Sequence, residues 1–246
     1  VDDLLYCASE AKALLPFLPQ IRTDIEGLKD YLAFQFCLAG KTLFQDIHEL
    51  QPGHSLTVRN GQLAVNRYWQ VYYNLDLHHT ESYFEQQILS MLEKSVALHL
   101  RADVPVGGYV SGGFDSSAIC ALAARGGCGD FMGFTGKFPL GPQYDESRYA
   151  RELAEQYQIT LDETVLSADD FMENIRRVIY HLDYPVAGPG SFPQFMVSQS
   201  ASRHRKVVLG GQGGDEIFGG YARYLIAYFE QCIKAAIDGT MYNGNF

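Results

Sequence analysis

The sequence predicts an α/β protein, a doubly wound parallel sheet preceded by a β-rich segment, and three observations carry that expectation. From residue 81 onward, short apolar runs alternate with helical periodicity at a spacing suited to parallel strands joined by crossover helices. Two of those runs lead directly into glycine-rich turns, the place where such a sheet binds ligands. Before residue 81 the clearest signal is a hairpin, in which residues 54–58 and 63–65 flank Asn60-Gly61, a dipeptide that supplies the positive φ angles of a tight turn.

In chain order, the apolar run at 4–8 and the hairpin make the first seventy or so residues β-rich, and the polar, non-periodic residues 72–80 read as a linker. Phe84, Ile88, Met91, Leu92, Val96 and His99 then recur at helical spacing and predict a helix with one buried face over about five turns. Residues 104–110 form a strand and 116–125 a small-residue helix. A second strand covers 131–134, followed by a helix over 145–157 that turns Tyr149, Leu153 and Tyr157 inward. Residues 160–166 are a third strand. Ser167 with Asp170 caps a helix carrying Phe171, Ile175, Val178 and Leu182. Residues 191–204 are helical, 206–209 are a fourth strand, and a last helix runs through Tyr224, Tyr228 and Cys232. Aromatic residues at such spacing read as core.

The balance of 19 Lys+Arg against 29 Asp+Glu gives a net charge of −10, which argues against nucleic acid as the main partner. With 47% apolar residues the chain can fill a core, and compact packing would leave roughly 11,000 Å² of surface. No uncharged apolar run approaches the ~18 residues of a membrane span. Cys7, Cys37, Cys120, Cys128 and Cys232 are odd in number and scattered, so neither a disulfide framework nor a zinc site is expected and a reducing cytoplasm is the default compartment. Cys7 and Cys37 read as small buried thiols. Arg148, Arg151, Arg176 and Arg177 read as surface charges, and His78-His79 as a solvated pair.

Two turns carry the chemistry. Ser111-Gly112-Gly113-Phe114-Asp115-Ser116-Ser117 follows a strand and opens a helix, so glycine backbone, helix amides and serine hydroxyls converge on one anion site. It has no lysine and does not fit the Walker pattern. A carboxylate at Asp115 beside a phosphate implies a bridging magnesium ion. Gly210-Gly211-Gln212-Gly213-Gly214-Asp215-Glu216 follows the last strand, with Asp215 at a matching offset. A tight turn with a helix cap accounts for either loop alone; both in one chain, each with an aspartate, point to a shared Mg²⁺ on a polyphosphate.

The first motif resembles the pyrophosphate loop of the N-type ATP pyrophosphatases. The run from Gly211 through Asp215-Glu216-Ile217-Phe218-Gly219-Gly220-Tyr221 resembles the corresponding block of asparagine synthetases, with Ala8-Ser9-Glu10-Ala11-Lys12-Ala13-Leu14 and Tyr144-Asp145-Glu146-Ser147 as supporting matches. The resemblance implies an adenine nucleotide alpha hydrolase-like domain at 81–246, a linker at 71–80, and at 1–70 the C-terminal part of an N-terminal-nucleophile glutaminase domain. It implies a fragment, with the family's nucleophilic cysteine before Val1 and its phosphate-binding lysine after Phe246.

By the same resemblance, ATP activates a carboxylate as an acyl-adenylate, and ammonia or glutamine-derived nitrogen then forms the amide. Ser111, Gly112, Gly113, Asp115, Ser116 and Ser117 would hold phosphates, Asp115 and Asp215 would ligate Mg²⁺, and Tyr109, Gly136, Gly210 and Gly211 would lie against adenosine or the α-phosphate. Gln212 stands where asparagine-forming members carry glutamate. The acceptor therefore stays open between aspartate and another carboxylate, with β-lactam synthetase-like or peptide-cyclising relatives, or a nucleotide-binding fragment without turnover, as alternatives. A homodimer is also left open.

Overall fold

The computed structural model describes residues 4–239 except 73, 75, 128, 142, 186, 187 and 189. Cys128, the residues beyond 239 and parts of the 72–80 and 183–193 stretches therefore lie outside the described residues. In chain order the elements are α1 (Ile25–Phe34), β1 (His54–Arg59), β2 (Gln62–Arg67), α2 (Glu81–His99), β3 (Val106–Tyr109), α3 (Phe114–Arg125), β4 (Met132–Lys137), α4 (Ser147–Tyr157), β5 (Thr160–Val165), α5 (Ala168–Leu182), α6 (Ser191–Ala201), β6 (Val207–Leu209), α7 (Gly214–Phe218) and α8 (Ala222–Asp238). They fall into two compact units, Val1–His79 with Asp169–Phe192, and Thr80–Ala168 with Pro193–Phe246.

In the first unit, β1 and β2 pair antiparallel with Arg59 opposite Gln62. Asn60 and Gly61 make the turn at φ 53° and 74°, as the dipeptide requires. Strand content is otherwise limited, among the described residues, to single bridges between Thr23 and Phe44 and between Lys41 and His48. The segment is thus less β-rich than its sequence suggests, because ten of its residues form α1. Asp24 starts that helix by accepting from the Gly27 N–H at 2.7 Å. Beyond α5, Asp183 accepts from Ala11 N at 2.6 Å and from Lys12 Nζ at 3.0 Å.

The second unit holds a four-stranded parallel sheet in the order β5-β4-β3-β6. The Gly107-Gly108 pair lets neighbours close on the central strand. A Cβ on Gly107 would stand 2.7 Å from the Phe134 ring, and one on Gly108 would stand 2.6 Å from Cys120 Sγ. One core cluster joins Val106, Val110, Cys120, Ala123, Phe131, Ala150, Ala154 and Ile159; a second joins Phe134, Val197 and Ala201. Helices α3 and α4 supply the first and α6 the second, so the sheet is doubly wound as expected. Burial pushes the Cys120 thiol up to about 12. Arg151 is not a free surface charge: it grips Glu163 on β5 through two bonds of 2.7 and 2.6 Å and reaches Ser147 at 2.9 Å.

Several core expectations are corrected. Along α2 only Val96 is buried, while Phe84, Ile88 and Met91 are exposed, because the helix joins the α3 core only at its C-terminal turns. Tyr149, Tyr224 and Tyr228 are also exposed, and α4 buries Ser147, Ala150 and Ala154 instead. Cys7 is exposed and Cys37 half-buried. No helix among the described residues is long and apolar enough to cross a membrane.

Candidate functional site

The sheet order reverses at β3, whose chain continues to β4 on one side while β6 returns on the other. A crevice forms outside the carboxyl ends of two strands at such a point. The loops leaving β3 and β6 are the two that the sequence singled out.

The first loop is tied to itself. Ser116 is 7% exposed, and its hydroxyl donates to Gly113 O at 3.1 Å, accepts from Ser111 N at 3.2 Å and meets Ser111 Oγ at 2.9 Å. Ser111 Oγ also accepts from Gly113 N at 3.3 Å. Gly112 needs its φ of 86°, and a Cβ there would press 2.8 Å from Glu146 O. No side chain caps α3, so the first N–H groups of that helix have no side-chain partner, while Asp115 and Ser117 sit half-buried in its first turn.

The second loop rests on the first. A Cβ on Gly211 would stand 2.6 Å from Ser116 N and 2.8 Å from Asp115 C, and a Cβ on Gly214 would collide with the Asp115 carboxylate. Glycine is what lets the loops touch. The Asp215 carboxylate turns toward Gly220, on its own side. Glu216 accepts from Tyr221 O–H at 2.8 Å, and this bond lowers its pKa below the ordinary value; the same bond raises that of Tyr221. Arg223 lies over the Tyr221 ring at 4.4 Å.

A polar chain that the sequence did not reveal crosses from β3 to this loop. Tyr109 Oη lies 2.8 Å from Ser198 Oγ, the Ser198 hydroxyl donates to Gln194 O at 2.6 Å, and Gln212 Nε2 donates to Gln194 Oε1 at 3.4 Å. Gln194 and Ser198 are one turn apart on α6, a helix that also carries Ser191, Gln199 and Ser200, so their spacing alone does not single them out. Gly136 lies two residues beyond the Tyr109–Phe134 pair on β4, with Leu166 and Val197 against its α-carbon. Gly210 has the Gln212 side chain folded over it. Among the described residues no group of three or more His, Cys, Asp or Glu forms a metal cluster.

Fold and loops together define an α/β domain in which two glycine-rich loops meet at the switch point of a parallel sheet. Residues 87–244 match the asparagine synthase family model, and residues 1–69 match that of a glutamine amidotransferase domain. The chain belongs to the asparagine synthase family. It is 32% identical over 228 residues to asparagine synthetase [glutamine-hydrolyzing] 1 of Bacillus subtilis, covering 91% of this chain and 35% of that protein. A putative asparagine synthetase of Mycobacterium bovis is 36% identical over 225 residues, covering 88% and 34%. Amidase chyE of Penicillium rubens is 27% identical over 239 residues, covering 90% and 35%. The chain thus spans about a third of the length of these relatives.

Proposed function

We propose that this protein makes an amide from a carboxylate with ATP, through an acyl-adenylate. A carboxylate oxygen of the acceptor attacks the α-phosphorus, the bond to the bridging oxygen breaks, and pyrophosphate leaves. The lone pair of ammonia or glutamine-derived nitrogen then attacks the acyl carbon. AMP departs with its oxygen and the nitrogen sheds a proton. The observation that carries this reading is the clasp between the two loops, in which Gly211 and Gly214 close on residues 115–116 beside the uncapped amides of α3. Amide dipoles fixed in a crevice stabilise a departing pyrophosphate without reorganising.

Ser111, Gly112, Gly113, Ser116 and Ser117 shape and line the phosphate cradle, and Tyr109, Gly136, Gly210 and Gly211 border the nucleotide. Asp115 and Asp215 offer hard oxygens, and two carboxylates completed by phosphate and water are a donor set that suits magnesium. Magnesium, when bound, neutralises the polyphosphate. Residues 1–70 belong in this reading to a glutamine-hydrolysing part and 81–246 to the synthetase part, joined at 71–80, in a cytoplasmic protein. The test is ATP–pyrophosphate exchange across a panel of carboxylates, aspartate included. Exchange with AMP as product supports the reading, and ADP with orthophosphate as primary products overturns it.

A second reading keeps the chemistry and changes the acceptor. Gln212 favours it, since an amide orients a substrate but neither takes up a proton nor balances an ammonium. The likeness to amidase chyE is compatible with it.

A further inference from the structure

The polar chain from Tyr109 to Gln212 is built of neutral groups, and the two segments that carry Gln194, Ser198 and Gln212 are themselves uncharged, although a carboxylate reaches α6 from β5, that of Asp162, which accepts from Ser200. Residues 184–202, which include all of α6, contain no Asp, Glu, Lys or Arg, and neither do residues 207–214. Of the loop carboxylates, Glu216 is held by Tyr221, Asp215 lies against Gly220, and Asp115 lies against Gly214. On α6, Ser198 donates to Gln194 O and receives the Gln194 Nε2–H at 3.4 Å, which fixes the Gln194 side chain. Its Oε1 is then presented to Gln212, whose remaining amide N–H and carbonyl can serve a ligand.

Such a wall discriminates. An ammonium set against it loses water without gaining a counter-charge, whereas a neutral amide finds a donor and an acceptor at hydrogen-bonding distance. Resting on the acyl-adenylate reading above, we propose that Gln212, Gln194 and Ser198 form the acceptor wall. The acceptor is a carboxylic acid whose neighbouring nitrogen is acylated, not a free ammonium, and Gln194 is the positioning residue that sets the Gln212 amide.

Exchange measured with matched acceptors tests this on the wild-type protein: aspartate against N-acetylaspartate, and glutamate against N-acetylglutamate. The expected result is a kcat/KM about 10-fold or more higher for the acetylated member of the productive pair, the scale at which a site built for one polar partner rejects another. Gln194→Leu should raise the acceptor KM more than it lowers kcat, with the KM for ATP held. Gln194→Glu, which places a carboxylate on the wall, should shift preference toward the free amino acid. Exchange that favours the free amino acid in the wild type overturns the proposal and leaves the acyl-adenylate reading standing, as does a Gln194→Leu variant that loses ATP and acceptor affinity in equal measure. Absence of exchange with every carboxylate overturns that reading and this proposal with it.

Discussion

The loops after β3 and β6 share a glycine-rich composition and an aspartate at a matching offset, yet they are stabilised in opposite ways. The loop at 111–117 is bonded to itself through Ser111 and Ser116, and the helix it opens runs 12 residues into the core, with Cys120 and Ala123 fully buried. The loop at 210–216 leans on its neighbour through glycine contacts and opens a helix of five residues with none of them buried. Its one long polar side chain before the aspartate, Gln212, reaches away to α6. A loop pre-shaped by its own bonds suits a constant ligand such as a polyphosphate, and one that takes its shape from surrounding elements suits the variable ligand.

The largest expected effect breaks the contact between them. Gly211→Ala puts a methyl group 2.6 Å from the Ser116 backbone nitrogen, where no flexible side chain is available to yield. Overpacking against backbone costs about 2 kcal/mol or more, read as a drop in urea midpoint and a loss of exchange activity. Gly213→Ala is the control: its Cβ would meet nothing within 4 Å, and only its φ of 98° resists, a strain of about 1 kcal/mol. Equal losses in the two variants would mean that the loops do not brace each other.

Next in size is the charge comparison. Asp115 is pressed between the loops and Asp215 is not, so Asp115→Asn should weaken ATP binding in Mg²⁺ about tenfold, equivalent to about 1.4 kcal/mol, and Asp215→Asn somewhat less. In EDTA both variants should bind much as the wild type does. Calorimetric titration with and without the metal measures the difference, and identical losses under both conditions would exclude a metal-mediated role.

The two loops also differ in how much the sequence disclosed. Glycine, serine and aspartate directly after an apolar strand are local signals, and both turns stand where those signals place them. The link from Gln212 to Gln194 spans 18 residues, and that from Tyr109 to Ser198 spans 89, so no local pattern encodes either. The α2 stripe fails for the converse reason: helical periodicity shows that a face is apolar but not that this chain covers it, and Phe84, Ile88 and Met91 remain exposed. Helix α1 carries little local signal, because Gly27 is its one buried residue and Asp24 its main sequence mark.

Ser116→Ala separates the loops by function. It removes the hydroxyl that joins Ser111 and Gly113, at a cost of about 1 kcal/mol, since several shared bonds are lost but no charge is stranded. The KM for ATP should rise while acceptor preference stays fixed. Gln212→Glu should do the reverse, changing acceptor preference more than ATP affinity. Exchange kinetics on the pair check both, and an altered acceptor profile in Ser116→Ala would show that the first loop also reads the acceptor.

The smallest expected effect concerns the outer edge of the second loop, where Tyr221 donates to Glu216 at 2.8 Å in an exposed setting. The bond holds the Glu216 carboxyl below its ordinary value of 4.5 and the Tyr221 hydroxyl above its ordinary value of 10.0. A depressed carboxylate contributes stability above its unfolded pKa and loses it as pH falls through the folded value; a raised phenol contributes below its unfolded pKa and loses it as pH rises through the folded value. The pair therefore stabilises the fold on a plateau between those limits. Tyr221→Phe should lower the urea midpoint slightly on that plateau, and the gap to wild type should close at both acid and alkaline ends. Because both groups are screened by water, added salt should shrink the gap further. A gap that stays constant across pH would trace instead to the stacking of Arg223 on the ring, which phenylalanine retains only in part.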